Sequence, residues 1–253
     1  MAAYGKSYYT VLMGLKYTAA IGIFDGFHNG HKKILKRLKT FKPNMVMTFR
    51  IHPRHVKTLI PFSERLKILK CIGISRICVF TPKDKILGLS AEKFIRRMLE
   101  KLNIGKVIIG SDLRLGHNRR TNAKKFKELC SKHDIDVEIV HVLTEHGKKL
   151  SSSDIRKLIS KGKIEAANKL LGHNFYINGS VVKGKGAGSK LGFKTANMIP
   201  EKNQLIPMVG VYRTNTMLNG KIRKSFTYIG TSPTLKVKRP ITIETHIPGL
   251  KTS

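Results

Sequence analysis

The sequence predicts an α/β protein, a doubly wound parallel sheet over roughly its first two thirds followed by a small antiparallel β module. Three observations carry this reading. Short β-branched apolar runs alternate with segments whose apolar residues recur three and four apart as far as residue 172. A decapeptide at 22–31, Gly-Ile-Phe-Asp-Gly-Phe-His-Asn-Gly-His, follows the first of those runs. Near residue 175 the helical periods stop and strand-like segments succeed one another.

Taken in order, residues 19–24, 45–49, 76–80, 106–110 and 136–142 read as strands. Residues 30–39, 62–71, 90–102 and 122–132 read as helices, each able to cover one face of a parallel sheet. Ligands of such sheets bind outside the carboxyl ends of the strands, and the decapeptide follows the first strand at that end. A further helical pattern runs over 153–171, is interrupted at Gly162 and stops at Gly172, a residue suited to the left-handed position after a helix. The second module offers strands at 176–182, 209–217, 222–229 and 241–247, with Asn219-Gly220 as a type I′ hairpin signal. The expected domains are 1–172 and 173–253, abutting without a low-complexity linker or an internal repeat.

A chain of 253 residues with 41% apolar content can bury a good core and is not disordered. Its 49 Lys and Arg against 15 Asp and Glu give a net charge of +34, which suits anionic partners: nucleic acid, anionic membrane or phosphorylated metabolites. The excess is spread along the whole length, a pattern that solvated helix faces alone also produce. Cys71, Cys78 and Cys130 are odd in number and match no zinc spacing, so neither a disulfide framework nor a structural metal is indicated and a reducing cytosol is expected. The run Val11-Leu12-Met13-Gly14-Leu15 is too short for a signal-peptide core, and there is no apolar window long enough to span a membrane, so a soluble chain is expected.

The decapeptide has the makings of a phosphate-handling turn. A helix N-terminus presents unpaired N–H groups and the positive end of a dipole, and Gly26 and Gly30 keep the approach to it open. His28 and His31, three apart, fall on one face of the first helical turn and can donate to phosphoryl oxygens as charge grows there. A half-formed metal site or two solvated histidines are the other readings. Ser151-Ser152-Ser153-Asp154-Ile155-Arg156 opens a helix, where a serine caps and the arginine can fold back toward an anion, although a plain cap explains the serines equally. Residues 110–116, Gly-Ser-Asp-Leu-Arg-Leu-Gly, follow the 106–110 strand on the ligand side, as any βα loop would. In the second module, residues 184–192 form a basic glycine-rich loop that either brings backbone N–H groups to phosphates or is a flexible hairpin. Thr195-Ala196-Asn197 then puts two oxygens on one side of an extended segment, as a hard cation requires.

In this order, the motifs resemble the bifunctional prokaryotic riboflavin kinase/FMN adenylyltransferase family, also called FAD synthase, over nearly the whole chain. The decapeptide is similar to the family's form of the nucleotidylyltransferase His-x-Gly-His signature, and Thr-Phe-Arg-Ile-His-Pro-Arg at 48–54 to the segment after its second strand. Residues 151–156 resemble its Ser-Ser-Thr-x-Ile-Arg motif, and Ala166-Ala167-Asn168-Lys169-Leu170-Leu171-Gly172 the close of that domain. The glycine loop, Leu191-Gly192-Phe193-Lys194-Thr195-Ala196-Asn197 and Ile243-Glu244-Thr245-His246 fall where the kinase module has its flap, its Pro-Thr-Ala-Asn motif and its catalytic Glu.

The resemblance implies a Rossmann-like nucleotidylyltransferase domain that transfers AMP from Mg-ATP to FMN, and a barrel-like kinase domain that phosphorylates riboflavin. It assigns His28, His31, Arg156 and Glu244 to catalysis, Thr195 and Asn197 to Mg²⁺, and Gly22, Phe24, Asp25, Gly26, Gly30, Asp112, Ser152, Ser153, Gly184, Gly186 and Gly188 to nucleotide binding. ATP, FMN and riboflavin are the implied partners, with no specific nucleic acid or membrane partner and with homo-oligomers left open. Three departures stand out: Leu113 and Leu115 replace the family's usual aromatics, Lys194 replaces Pro, and the chain ends nine residues past Glu244. From the last, the β module is expected to be an incomplete barrel with Glu244 on an edge strand and weak or absent kinase activity. The competing readings are another nucleotidylyltransferase, of the pantetheine-phosphate or nicotinate-mononucleotide type, and a basic nucleic-acid-binding protein.

Overall fold

The computed structural model describes residues 15–116, 120–141, 144–145, 148–183, 195–231 and 241–250. The chain divides into two compact units, Met1–His55 with Phe62–Leu150, and Val56–Pro61 with Ser151–Ser253.

The first unit is built on β1 (Tyr17–Ile21), β2 (Asn44–Phe49), β3 (Arg76–Phe80), β4 (Ile104–Gly110) and β7 (Asp136–Val140), a parallel sheet in the order β3-β2-β1-β4-β7. Between them run α1 (Asn29–Leu38), α2 (Phe62–Cys71), α3 (Ala91–Phe94) and α4 (Ala123–Ser131), with two-residue hairpin strands β5 (Arg114–Leu115) and β6 (Thr121–Asn122) before α4 and β8 (Thr144–Glu145) and β9 (Lys148–Lys149) after β7. All of β1 is buried, because the sheet is covered on both faces. Chain order reverses on either side of β1, so its carboxyl end and that of β4 border the crevice where such sheets bind ligands.

The helix expected over 90–102 is α3 followed by a π turn at Ile95–Glu100. The wider turn buries Phe94 and Leu99, five apart, together with Ile95. β1 stops three residues earlier than its apolar run, because the backbone turns away at Gly22.

The second unit contains α5 (Ser152–Ser160), α6 (Ile164–Leu171), β10 (Gly179–Val182), β11 (Thr195–Pro200), β12 (Gly210–Leu218), β13 (Lys221–Thr231) and β14 (Ile241–His246). Gly172 ends α6 at φ +67°, and Asn219 and Gly220, at φ +48° and +74°, make the hairpin turn between β12 and β13. The strands form one antiparallel sheet in the order β10-β11-β14-β13-β12. Among the described residues β10 and β12 are its two ends, and Glu244 does not lie on an edge: β14 is central, paired with β11 on one side and β13 on the other. The fraying expected of Glu244's strand therefore has no basis, since both rows of its backbone groups enter ladders.

The units part at 150/151, whereas a boundary at 172/173 was expected, and α5 and α6 group with the antiparallel sheet. Residues 56–61 join the same unit because Thr58 N–H donates to the Asn203 carbonyl at 2.8 Å and Leu205 N–H to the Thr58 carbonyl at 2.8 Å. Among the described residues, no helix is long and apolar enough to cross a membrane.

Candidate active sites

In the first unit the site begins where β1 ends. Gly22 N–H donates to the Met47 carbonyl at 3.1 Å, and the Phe24 ring folds back so closely that a Cβ at position 22 would lie 3.1 Å from its Cζ. Phe24 (φ +53°), Gly26 (φ +87°) and Phe27 (φ +40°) are all left-handed. Two bulky residues in that region cost on the order of 1–3 kcal/mol each, and such strain persists where the surroundings over-determine the backbone. Here Phe24, Phe27 and Asp25 are all buried, and the result is to deliver the chain sharply into the N-terminus of α1.

His28 is the residue that caps that helix. Its Nδ1 accepts a hydrogen bond from the His31 backbone N–H at 3.4 Å, the task usually given to Ser, Thr, Asp or Asn. An accepting Nδ1 leaves the proton of a neutral imidazole on Nε2, so His28 is set up as an Nε2–H donor. The His31 ring stacks on it with centroids 3.7 Å apart and an interplanar angle of 22°, and meets the edge of Phe24 at 5.4 Å. The structure thus brings His28 and His31 together at the helix N-terminus, with Gly30 buried in the first turn. Asp112 is exposed in the turn after β4, while Leu113 and Leu115 pack against the hydrophobic core.

Behind the turn sits a residue that the sequence reading passed over. Arg65 of α2 is 1% exposed, and its guanidinium donates to the carbonyl of Ile23 at 2.6 Å and to that of Phe49 at 3.0 Å. The Thr48 hydroxyl donates to the same Ile23 carbonyl at 3.2 Å. Burial pulls the guanidinium below its ordinary value, with the charge of Asp25 opposing that shift, and an arginine so placed stays protonated. A signal was available in the helix pattern: Arg65 stands three after Phe62 and four before Leu69, on the apolar stripe of α2.

In the second unit, Ser151 caps α5, its hydroxyl accepting from Asp154 N–H at 3.2 Å and donating to the Asp154 carboxylate at 2.6 Å. Ser152 and Ser153 are half-buried in the first turn, and Arg156 Nε donates to the Lys57 carbonyl at 2.8 Å. That bond fixes the arginine's stem to the 56–61 segment of the same unit.

Strand register assembles a second cluster. Asn197 on β11 is opposite Glu244 on β14, Tyr228 on β13 is opposite Glu244 from the other side, and Thr195 and Phe226 flank His246 in the same way. Alternate residues of a strand share a face, so Thr195, Asn197, Glu244, His246, Phe226 and Tyr228 all lie on one side of the sheet. The intervening residues Ser225, Thr227, Ile229 and Ile243 are buried on the other side. There the hydroxyls of Thr214, Ser225, Thr227 and Thr245 form a chain of hydrogen bonds, 2.8 Å, 2.8 Å and 3.0 Å long. Glu244 and Asn197 are half-buried, whereas Phe226 and Tyr228, 51% and 39% exposed, are more open beside them. Gly184, Gly186 and Gly188, with Lys194, lie outside the described residues. Among the described residues no cluster of three His, Cys, Asp or Glu side chains could hold a metal. A cation met only by Thr and Asn oxygens takes the rest of its shell from phosphates and water, which is how Mg²⁺ is commonly held.

Two family models match the chain, one for FAD synthetase over residues 15–154 and one for riboflavin kinase over residues 171–252. The chain belongs to the bifunctional riboflavin kinase/FMN adenylyltransferase family. The family's member from Bacillus subtilis is 32% identical over 242 residues, covering 89% of this chain and 75% of the relative. The one from Escherichia coli K12 is 31% identical over 229 residues, covering 85% and 73%. A solved chain described as a macrolide-efflux protein from Streptococcus pneumoniae superposes with a TM-score of 0.83 at 24% identity, covering 94% of this chain and 81% of that one, and so shares the fold. The two models meet the fold at its two sheets: the FAD synthetase match spans the parallel sheet and the His28–His31 turn, and the riboflavin kinase match spans the antiparallel sheet and Glu244.

Proposed function

We propose that the chain makes FAD in two ATP-dependent steps on two separate units: phosphorylation of riboflavin to FMN by the antiparallel unit, and transfer of AMP from ATP to FMN by the parallel one. The observation that carries the reading is the capped, stacked His28–His31 pair at the helix N-terminus, within a chain whose second sheet sets Glu244 beside Asn197.

In adenylyl transfer an FMN phosphate oxygen bonds to the α-phosphorus of ATP, and the bond from that phosphorus to the β-bridging oxygen breaks to release pyrophosphate. A phosphate monoester has its second pKa near ~6, so the nucleophile is already ionised and the protein needs no base. Its work is positioning and neutralising charge. We assign the Nε2–H of His28 and the His31 ring to the oxygens that gain charge, with the α1 N-terminus beneath them. Gly22, Phe24, Asp25, Gly26 and Gly30 shape the nucleotide pocket, and Asp112 is assigned to the same reaction; Ser152, Ser153 and Arg156, which the motif resemblance gives to it, belong to the second unit.

Kinase chemistry differs because an alcohol is not ionised at neutral pH. Glu244 takes the proton of the terminal ribityl hydroxyl, the oxygen bonds to the γ-phosphorus of ATP and ADP leaves. Thr195 and Asn197 share its face and would hold Mg²⁺, which when bound neutralises phosphate charge. The flap residues Gly184, Gly186 and Gly188 are assigned to the phosphates. With β14 central, Glu244 is held by two neighbouring strands, and full bifunctionality is the reading the topology favours over a crippled kinase. Three free thiols suit a reducing cytosol.

The test supplies riboflavin or FMN as the only flavin with Mg-ATP and separates the products. FAD from both, with Glu244→Gln stopping only the route from riboflavin, is expected. Absence of FAD from FMN in folded protein would overturn the assignment of the first unit.

A further inference from the structure

We propose that Arg65 is a positioning residue for adenylyl transfer: from inside the first unit it grips the Ile23 carbonyl and so aims the turn that carries His28 and His31. The inference rests on the adenylyltransferase reading of that turn.

Arg65 is 1% exposed, so it does not reach a substrate. What it reaches is backbone. One arm of the guanidinium donates to the Ile23 carbonyl at 2.6 Å and lies 3.4 Å from the Thr48 hydroxyl; the other donates to the Phe49 carbonyl at 3.0 Å, with the Arg50 carbonyl at 3.5 Å. Its Cζ lies 5.2 Å from the Phe62 ring centroid. The two arms therefore tie the chain leaving β1 to the chain leaving β2. A planar fork can hold two such carbonyls at a fixed angle, which the single ammonium of a lysine cannot.

The place of the grip gives it meaning. Ile23 immediately precedes the left-handed residues Phe24, Gly26 and Phe27, and His28 comes next. A strained turn keeps its shape only where its ends are fixed, and on the β1 side Arg65 and Thr48 supply that fixture at one oxygen. Position 65 also lies on the apolar stripe of α2, where a leucine would complete the packing without burying a cation. Among the described residues Nε of Arg65 is buried without a hydrogen-bond partner, a cost that packing alone gives no reason to bear. A grip on the nucleotide turn gives one.

The test compares Arg65→Lys, Thr48→Val and their combinations with His28→Ala in the full chain, reading kcat and KM for ATP in FAD formation from FMN, with melting curves on each variant. Arg65→Lys is expected to lower kcat about 10- to 100-fold, the scale of an ångström-sized misplacement, with KM for ATP changed less than about threefold. Thr48→Val, which removes the second donor to Ile23 and the hydroxyl 3.4 Å from Arg65 while leaving the guanidinium in place, is expected to cost a few-fold in kcat and serves if Arg65→Lys does not fold. In the His28→Ala background either change should cost little more, because the group being aimed is gone. Full multiplication of the losses in the double variants would overturn the proposal. So would a folded Arg65→Lys or Thr48→Val protein that melts lower but turns over at the wild-type kcat. Failure of the wild-type protein to make FAD from FMN would strike the underlying reading instead.

Discussion

Replacing His28 separates two jobs that one ring performs. Its Nδ1 caps α1 through the His31 N–H, and its Nε2–H is the donor that the proposed function assigns to the reacting phosphate. Loss of an N-cap side chain costs roughly 1 kcal/mol, which lowers Tm by about 2–4 °C in a unit of this size. Loss of a preorganised donor to developing charge costs about 2.7–4 kcal/mol in the transition state, or roughly 10²- to 10³-fold in kcat. His28→Ala should show both effects. His28→Asn should show one, because an Asn oxygen caps a helix as well as any side chain while its short amide does not reach where Nε2 stood. The assay is FAD formation at saturating FMN and Mg-ATP, beside a thermal melt of each variant. The expected result is that Asn recovers most of the lost Tm and little of the lost kcat. Recovery of both together would mean that the ring matters only as a cap, and wild-type turnover in His28→Ala would dismiss it from catalysis altogether.

Glu244→Gln should abolish FMN formation from riboflavin while leaving adenylylation of supplied FMN intact, which product separation reads directly; a kinase that keeps its rate would show that Glu244 is not the base. Burial pushes the Cys78 thiol up to about 11 and the Cys130 thiol up to about 12, whereas Cys71 is exposed, so iodoacetamide at mildly alkaline pH should alkylate Cys71 first. Peptide mass spectrometry of the native protein checks the order, and early modification of Cys130 would contradict the packing of α4. The carboxylates of Glu138, bonded by Arg37 at 2.7 Å, and Asp136, bonded by Lys106 at 2.7 Å, are held below their ordinary values chiefly by those hydrogen bonds. Because the folded-state values are depressed, the stabilisation is present above the ordinary carboxylate range and disappears as pH falls through the lowered values. Glu138→Gln should therefore melt slightly below wild type near neutrality and converge with it in strong acid; a gap that widens in acid would reverse the sign of the argument.

Features set by a few neighbouring residues were legible in the sequence. The α2 helix at Phe62–Cys71, the Asn219-Gly220 hairpin, the stop at Gly172 and the parallel first sheet all follow from periods, caps and backbone preferences that operate within about ten residues. So did the histidine pair, since a spacing of three on a first helical turn already places two rings side by side.

What the tertiary structure decided depends on partners far along the chain. Strand order is one case: nothing near Glu244 reveals that β14 lies between β11 and β13, and reading it as an edge missed the pairings that hold it. The grouping of 56–61 with 203–205 is another, settled by hydrogen bonds across more than a hundred residues of sequence. Arg65 is the third. In the sequence it is one basic residue among 49 Lys and Arg, and only burial, which removes water as the competing acceptor, turns its two arms into a clamp on the carbonyls of Ile23 and Phe49.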